Sequence, residues 1–183
     1  MIFNEHMHVR NFHNSKIILK LELSITDTRW RNERKIQNVI SYLTYIIQHI
    51  LENIFTDVAN EPEARISILL ANNRTLKKLN NKFFQINQST DILSFPFNNY
   101  TPGQSKKHMR YKKRIFFGDI AISLDKVSQE STKFDHCFGN YFCYILIHGV
   151  LHLVGYRHET FYETNVMNKL KNMLLLEIRD FHK

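Results

Sequence analysis

Three histidines, His148, His152 and His158, sit within eleven residues that read His-Gly-Val-Leu-His-Leu-Val-Gly-Tyr-Arg-His. On a helix, residues four apart share a face one turn apart, so the first two imidazoles can chelate a single ion. His158 lies six residues further on. A continuing helix would carry it ~9 Å past His152, out of reach of an ion bound at ~2 Å. The helix must therefore end between them. Gly155 is placed to end it, since glycine adopts without steric cost the left-handed conformation that caps a helix and turns the chain back.

A lone histidine in an apolar run is usually a hydrogen-bonded core residue. Three fit that explanation poorly. Tyr144, Ile145, Leu146, Ile147, Val150, Leu151, Leu153 and Val154 surround them, and burying three imidazoles there costs stability unless each has a partner, which one shared cation supplies. The three are read as ligands of one transition metal, zinc first, with a fourth position open to water or a phosphoryl oxygen.

The spacing is also that of the metzincin proteases, in which a Glu after the first His takes the proton of water. Gly149 stands there, so the metal geometry remains while peptidase chemistry lacks its base. The whole run resembles the signature of the YbeY family of bacterial rRNA-maturation endoribonucleases, usually His-Gly-x-Leu-His-Leu-x-Gly-Tyr-Asp-His. Arg157 replaces the Asp, placing a cation beside a ligand; either its side chain points away or metal affinity falls. Two further segments resemble the family: Leu79-Asn80 with Thr90-Asp91-Ile92-Leu93-Ser94-Phe95-Pro96, and Gly118-Asp119-Ile120. The resemblance spans roughly Ile66 to Met173. Between the parts of the first segment, the family's Arg falls on Phe84, and a phenyl ring can neither hold a phosphate nor stabilise its charge. Lys82 is close enough in sequence to supply a point charge, without the fork of an Arg. Phe84 reads as a ring that stacks on a base or as a core or edge aromatic. Asp119 reads as a residue that orients a ligand histidine or as a turn former.

The resemblance implies a single-strand-specific, metal-dependent endoribonuclease acting in maturation of the 3′ end of small-subunit rRNA and in ribosome quality control. It implies one zinc per chain on His148, His152 and His158 as the catalytic centre, with single-stranded rRNA and the small ribosomal subunit as partners. A second reading, favoured by Phe84 and Arg157, is a non-catalytic ribosome- or RNA-binding protein whose zinc is structural. A third, a hydrolase of small esters or peptides, is disfavoured by Gly149 and the basic composition.

Lys plus Arg exceed Asp plus Glu by 25 to 17, a net charge of +8, which favours a polyanionic partner. The stretch 98–114 reads as a basic loop, with Lys106, Lys107, Arg110, Lys112, Lys113 and Arg114 near Tyr100 and Tyr111. Such a loop either grips a phosphate backbone or is simply solvated. Lys82, Lys106, Lys107, Lys112 and Lys113 are the candidate RNA contacts. Cys137 and Cys143 form neither a Cys-x-x-Cys pair nor a disulfide framework, which suggests buried thiols in a reducing compartment. No signal peptide or membrane span is evident, so cytoplasm is the default location.

These residues need a scaffold. With 183 residues, 43% of them hydrophobic, and no linker, the chain can bury one good core. Residues 1–15 read as a mobile tail ahead of a single domain at 16–183. Ile17, Leu19, Leu21, Leu23 and Ile25 alternate as in a strand, and apolar positions from Ile36 to Ile54 recur as on an amphipathic helix. Strands are expected at 65–71, before Pro96 and at 116–123, and helices after Asn72 or Asn73, at 123–134 and along the C-terminal segment from Phe161. The segment 140–154 is apolar on most faces and should be the buried central helix. The expected fold is a single-domain α+β structure, with a mixed, mainly parallel sheet of about four strands and a buried central helix carrying the metal motif.

Overall fold

The computed structural model describes residues 3–7, 16–31, 33–56, 61–133 and 138–180. In chain order the elements are β1 (Phe3–Met7), β2 (Ile18–Ile25), a 3-10 turn (Thr28–Arg31), α1 (Glu33–Ile54), β3 (Glu63–Ala71), α2 (Asn73–Phe84), β4 (Ile92–Pro96), α3 (Pro102–Tyr111), β5 (Arg114–Ser123), α4 (Leu124–Lys133), α5 (Phe138–Leu153) and α6 (Phe161–Asp180). They form the single α+β domain expected.

The sheet order is β1-β2-β3-β5-β4. β2, β3 and β5 run parallel, with β1 and β4 antiparallel on the two edges. Five strands stand where about four were expected. The extra one, β1, pairs Phe3–Met7 with Leu21–Ile25, so this part of the segment read as a tail is an edge strand, and residues 8–15 lie outside the described residues. The open edge of β2 offers a row of unpaired backbone groups, and pairing with it does not require an apolar sequence.

On one face, alternate residues of β2, β3 and β5 enter the main core, among them Leu19, Leu21, Ile66, Ile68, Ile120 and Ile122. α5 lies against this core and touches α1, α4, α6, β4 and β5. A helix apolar almost all round is stable in water only when neighbours cover it. On the other face Ala71, Leu93 and Ala121 make a smaller cluster with Leu76 of α2. Asn72 caps α2 by accepting the Thr75 N–H. Cys143 is buried in α5, whereas Cys137 lies outside the described residues.

The stretch read as a basic loop contains a helix instead. Thr101 and Gln104 form a reciprocal capping box, Pro102 occupies the first turn, and Ser105 and Met109 are buried. The Thr-x-x-Gln signature was present, but a single apolar anchor, Met109, leaves no readable helical period. Among the described residues no helix is long and apolar enough to cross a membrane.

Leu146, fully buried in α5, provides a test of the central helix. Leu146→Ala is expected to cost ~2–5 kcal/mol, read as a lower urea midpoint with an unchanged denaturant slope.

Candidate metal centre

α5 ends as the histidine spacing requires. Gly155 has φ 103°; its N–H donates to the His152 carbonyl at 3.1 Å, and the Tyr156 N–H donates to the Leu151 carbonyl at 2.9 Å. These two bonds define a Schellman turn. Beyond it the chain brings His158 back beside the helix, and ligand nitrogens of His148, His152 and His158 all lie within 4.8 Å of one another. The Nε2 atoms of His148 and His152 are 3.1 Å apart. Nitrogens on a tetrahedral ion at ~2.0–2.1 Å would be separated by about 3.3 Å, so the cluster fits one transition ion. His148 and His152 are half-buried and His158 is exposed.

The protonation states suit that role. Burial, followed by His152, Lys171 and His158, pushes the His148 pKa down to about 4. Burial also pushes His152 down to about 4, helped by His158 and Arg157. Both are neutral at pH 7, as metal ligands must be. A neutral His152 donates Nδ1–H to the Tyr156 carbonyl at 3.1 Å, which turns the Nε2 lone pair toward His148. The buried Lys171 donates to the Tyr144 hydroxyl at 3.0 Å; its charge opposes protonation of His148.

Arg157 donates from Nη1 to the carbonyls of His152 at 2.9 Å and Tyr156 at 3.2 Å. Its guanidinium thus caps the negative end of α5. Gly149 has a packing reason for its identity: a Cβ there would lie 2.6 Å from Ile92 Cδ1 and 3.0 Å from Ser94 Oγ. β4 packs against this point, and the Ser94 hydroxyl donates to the Gly149 carbonyl at 3.2 Å. A carboxylate side chain in the protease position would have to displace the Ile92 and Ser94 side chains.

A groove of about 360 Å³ opens beside the cluster, lined by His148, His152, Phe84, Ser94, Asn99 and Arg157 among others. Phe84, in the last turn of α2, is 48% exposed and stacks on Phe95 with centroids 5.8 Å apart. Lys82 is not among the lining residues; its ammonium lies 5.2 Å from the Phe83 ring centroid. Lys106 and Lys107 line a cleft of 380 Å³, and Lys107 and Lys112 line another of 540 Å³, both beside α3. Lys113 is exposed just before β5. Asp119 does not orient a histidine: it points to the sheet face opposite its core neighbour Ile120, near Ser67 and Glu22, where burial raises its pKa. Sequence reasoning missed the Tyr156 carbonyl, because a backbone acceptor leaves no trace in residue type.

The lowered histidine values tie stability to pH. The unfolded chain protonates these imidazoles near pH 6.5 and the metal-free folded chain only near pH 4. Between those values the unfolded state binds more protons, so stability falls as pH is lowered through the window. Thermal melts of metal-stripped protein should show this decline, and His152→Ala should reduce it.

A family model described as Endoribonuclease YbeY matches residues 29–179. An Endoribonuclease YbeY of Ehrlichia chaffeensis is 34% identical over 143 residues, covering 78% of this chain and 86% of its own. One from Clostridium tetani is 30% identical over 159 residues, covering 81% and 93%. A solution structure of a Thermotoga maritima protein overlaps with a TM-score of 0.48 at 20% identity, covering 87% of this chain and 92% of that one. With a family match over most of its length and relatives of this identity over most of theirs, the chain belongs to the Endoribonuclease YbeY family.

Proposed function

We propose that this protein is a zinc-dependent endoribonuclease of the cytoplasm. It cuts single-stranded RNA, acts on the small ribosomal subunit in maturing the 3′ end of its rRNA, and serves ribosome quality control. Zinc is held by His148, His152 and His158, one ion per chain. The observation that carries this reading is the convergence of three imidazoles at an open groove, with the third ligand exposed. Relatives named Endoribonuclease YbeY support the substrate class, as does the net charge of +8.

A zinc ion there supplies Lewis acidity that lowers the pKa of water and polarises a phosphoryl oxygen. The chain's own groups do the positioning. Tyr156 holds His152 in one tautomer through Nδ1, and the desolvating packing around α5 keeps His148 and His152 unprotonated. No carboxylate lines the groove among the described residues; Asp91, whose charge acts on His148, accepts from the Tyr141 hydroxyl. Asn99 can hydrogen-bond the sugar or phosphate of an RNA strand in the groove.

The second reading, a non-catalytic RNA-binding protein with a structural zinc, draws support from Phe84 lining the groove where the resemblance would place an Arg. Structural zinc sites are closed by four protein ligands; three histidines are found together among the described residues, one of them exposed. That favours the catalytic reading.

Purified protein is expected to carry about one equivalent of zinc, lost in His152→Ala and His158→Ala, and to cut single-stranded RNA only when loaded. Metal analysis and cleavage of a defined RNA decide both points; stoichiometric zinc without cleavage would leave the binding protein. Replacing Lys106, Lys107, Lys112 and Lys113 by Ser should weaken RNA binding across sequences and flatten its salt dependence, since each phosphate contact releases counterions.

A further inference from the structure

The groove beside the three histidines is lined by two unlike groups, the Phe84 ring and the Arg157 guanidinium. Phe84 is a half-exposed ring whose position is over-determined. Phe95 backs it at an interplanar angle of 25°, and α2 stops directly after it at Gln85, which is left-handed with φ 60°. A ring fixed in this way loses little freedom when something stacks on it. Among the described residues that line the groove, Arg157 is the one with a permanent charge. Among the described residues, both its bonds to protein come from Nη1. An arginine has five N–H donors, so Nε and Nη2 remain for an anion. His148 and His152 line the same groove. Its 360 Å³ lies at the small end of ligand sites, ~300–1,000 Å³, the scale of one nucleotide unit.

We infer that the groove clamps one unpaired nucleotide at two points, its base stacked on Phe84 and its phosphate held by Arg157, next to the metal ligands. The inference rests on the endoribonuclease reading and names what it recognises: a base that is free to leave its neighbours, and not a particular sequence. Stacking accepts any base because every base has a π face. A paired base has both faces covered and cannot engage Phe84, so selection for single strands follows from the ring. Arg157 stays tied to the carbonyls of His152 and Tyr156, which places the phosphate at the same helix end that orients His152.

The test uses zinc-loaded full-length protein and a 2′-O-methyl hexanucleotide, which binds without being cut, beside the same backbone lacking all bases. The ratio of the two affinities reports stacking, and the slope of log affinity against log salt reports phosphate contacts. Phe84→Leu is expected to lower the ratio by on the order of tenfold with the salt slope unchanged, and Phe84→Trp to restore it. Arg157→Gln is expected to lower the slope by about 0.7, one phosphate on a single strand, with the ratio unchanged; Arg157→Lys, which keeps the charge, should retain the slope. Zinc content is measured for every variant. An unchanged ratio in Phe84→Leu, or equal slopes for Arg157→Gln and wild type, overturns the clamp. Cleavage of unmodified RNA is scored separately. Cutting with a Phe84-independent ratio discards the clamp and leaves the nuclease, whereas Phe84-dependent binding without cutting discards the nuclease and leaves the clamp.

Discussion

Two neutral imidazole nitrogens facing one another across 3.1 Å are the interaction on which the site depends. Neutral nitrogens with converging lone pairs repel unless a proton or a metal ion lies between them. A neutral His148 with its proton on Nε2 can donate to His152 Nε2, and burial, with Lys171 near His148 and Arg157 near His152, keeps either ring from taking a second proton near neutral pH. The fold removes rotational freedom from His152 by giving Nδ1 the Tyr156 carbonyl. A cation could replace that shared proton and engage both rings, with His158 at the third corner from beyond the helix end.

The same helix carries the core and the site. Ile145, Leu146, Ile147, Val150 and Leu151 are buried to within a few per cent, so the backbone bearing His148 and His152 cannot drift without opening the interior. Rigidity of this kind places ligands more accurately than a loop can. It also favours Gly149, where the Ile92 and Ser94 side chains of β4 would have to shift to admit a Cβ. His158, by contrast, is exposed to solvent at the rim, its carbonyl accepting from the Thr164 hydroxyl.

What could be read in the chain follows from how locally each feature is encoded. β2, α1 and α5 announce themselves because burial sets a period of two, a period near 3.6, or an unbroken apolar run. The clustering of the three histidines was legible for a related reason: spacing and a glycine encode both the shared face and the turn. α3 was lost because its helicity rests on a cap and one buried methionine, and β1 because edge pairing depends on a distant partner strand. The orientation of Asp119 was illegible for want of register, as one step along β5 decides which face it takes. Lys82 and Phe84 are two residues apart, yet the ring lines the groove and the ammonium does not, because a helix sends such neighbours to different sides.

The turn that aims His158 has a second neighbour. A Cβ on Gly155 would fall 2.4 Å from the Tyr100 carbonyl, so the backbone leading into α3 rests directly on the end of α5. The two segments are far apart in sequence and act as one joint. Lengthening or shortening the connection from β4 to Thr101 would press on the turn before His158, although a surface connection of this kind would otherwise tolerate insertions. A lineage that remodels the basic helix is therefore free to do so after Thr101, and constrained before it.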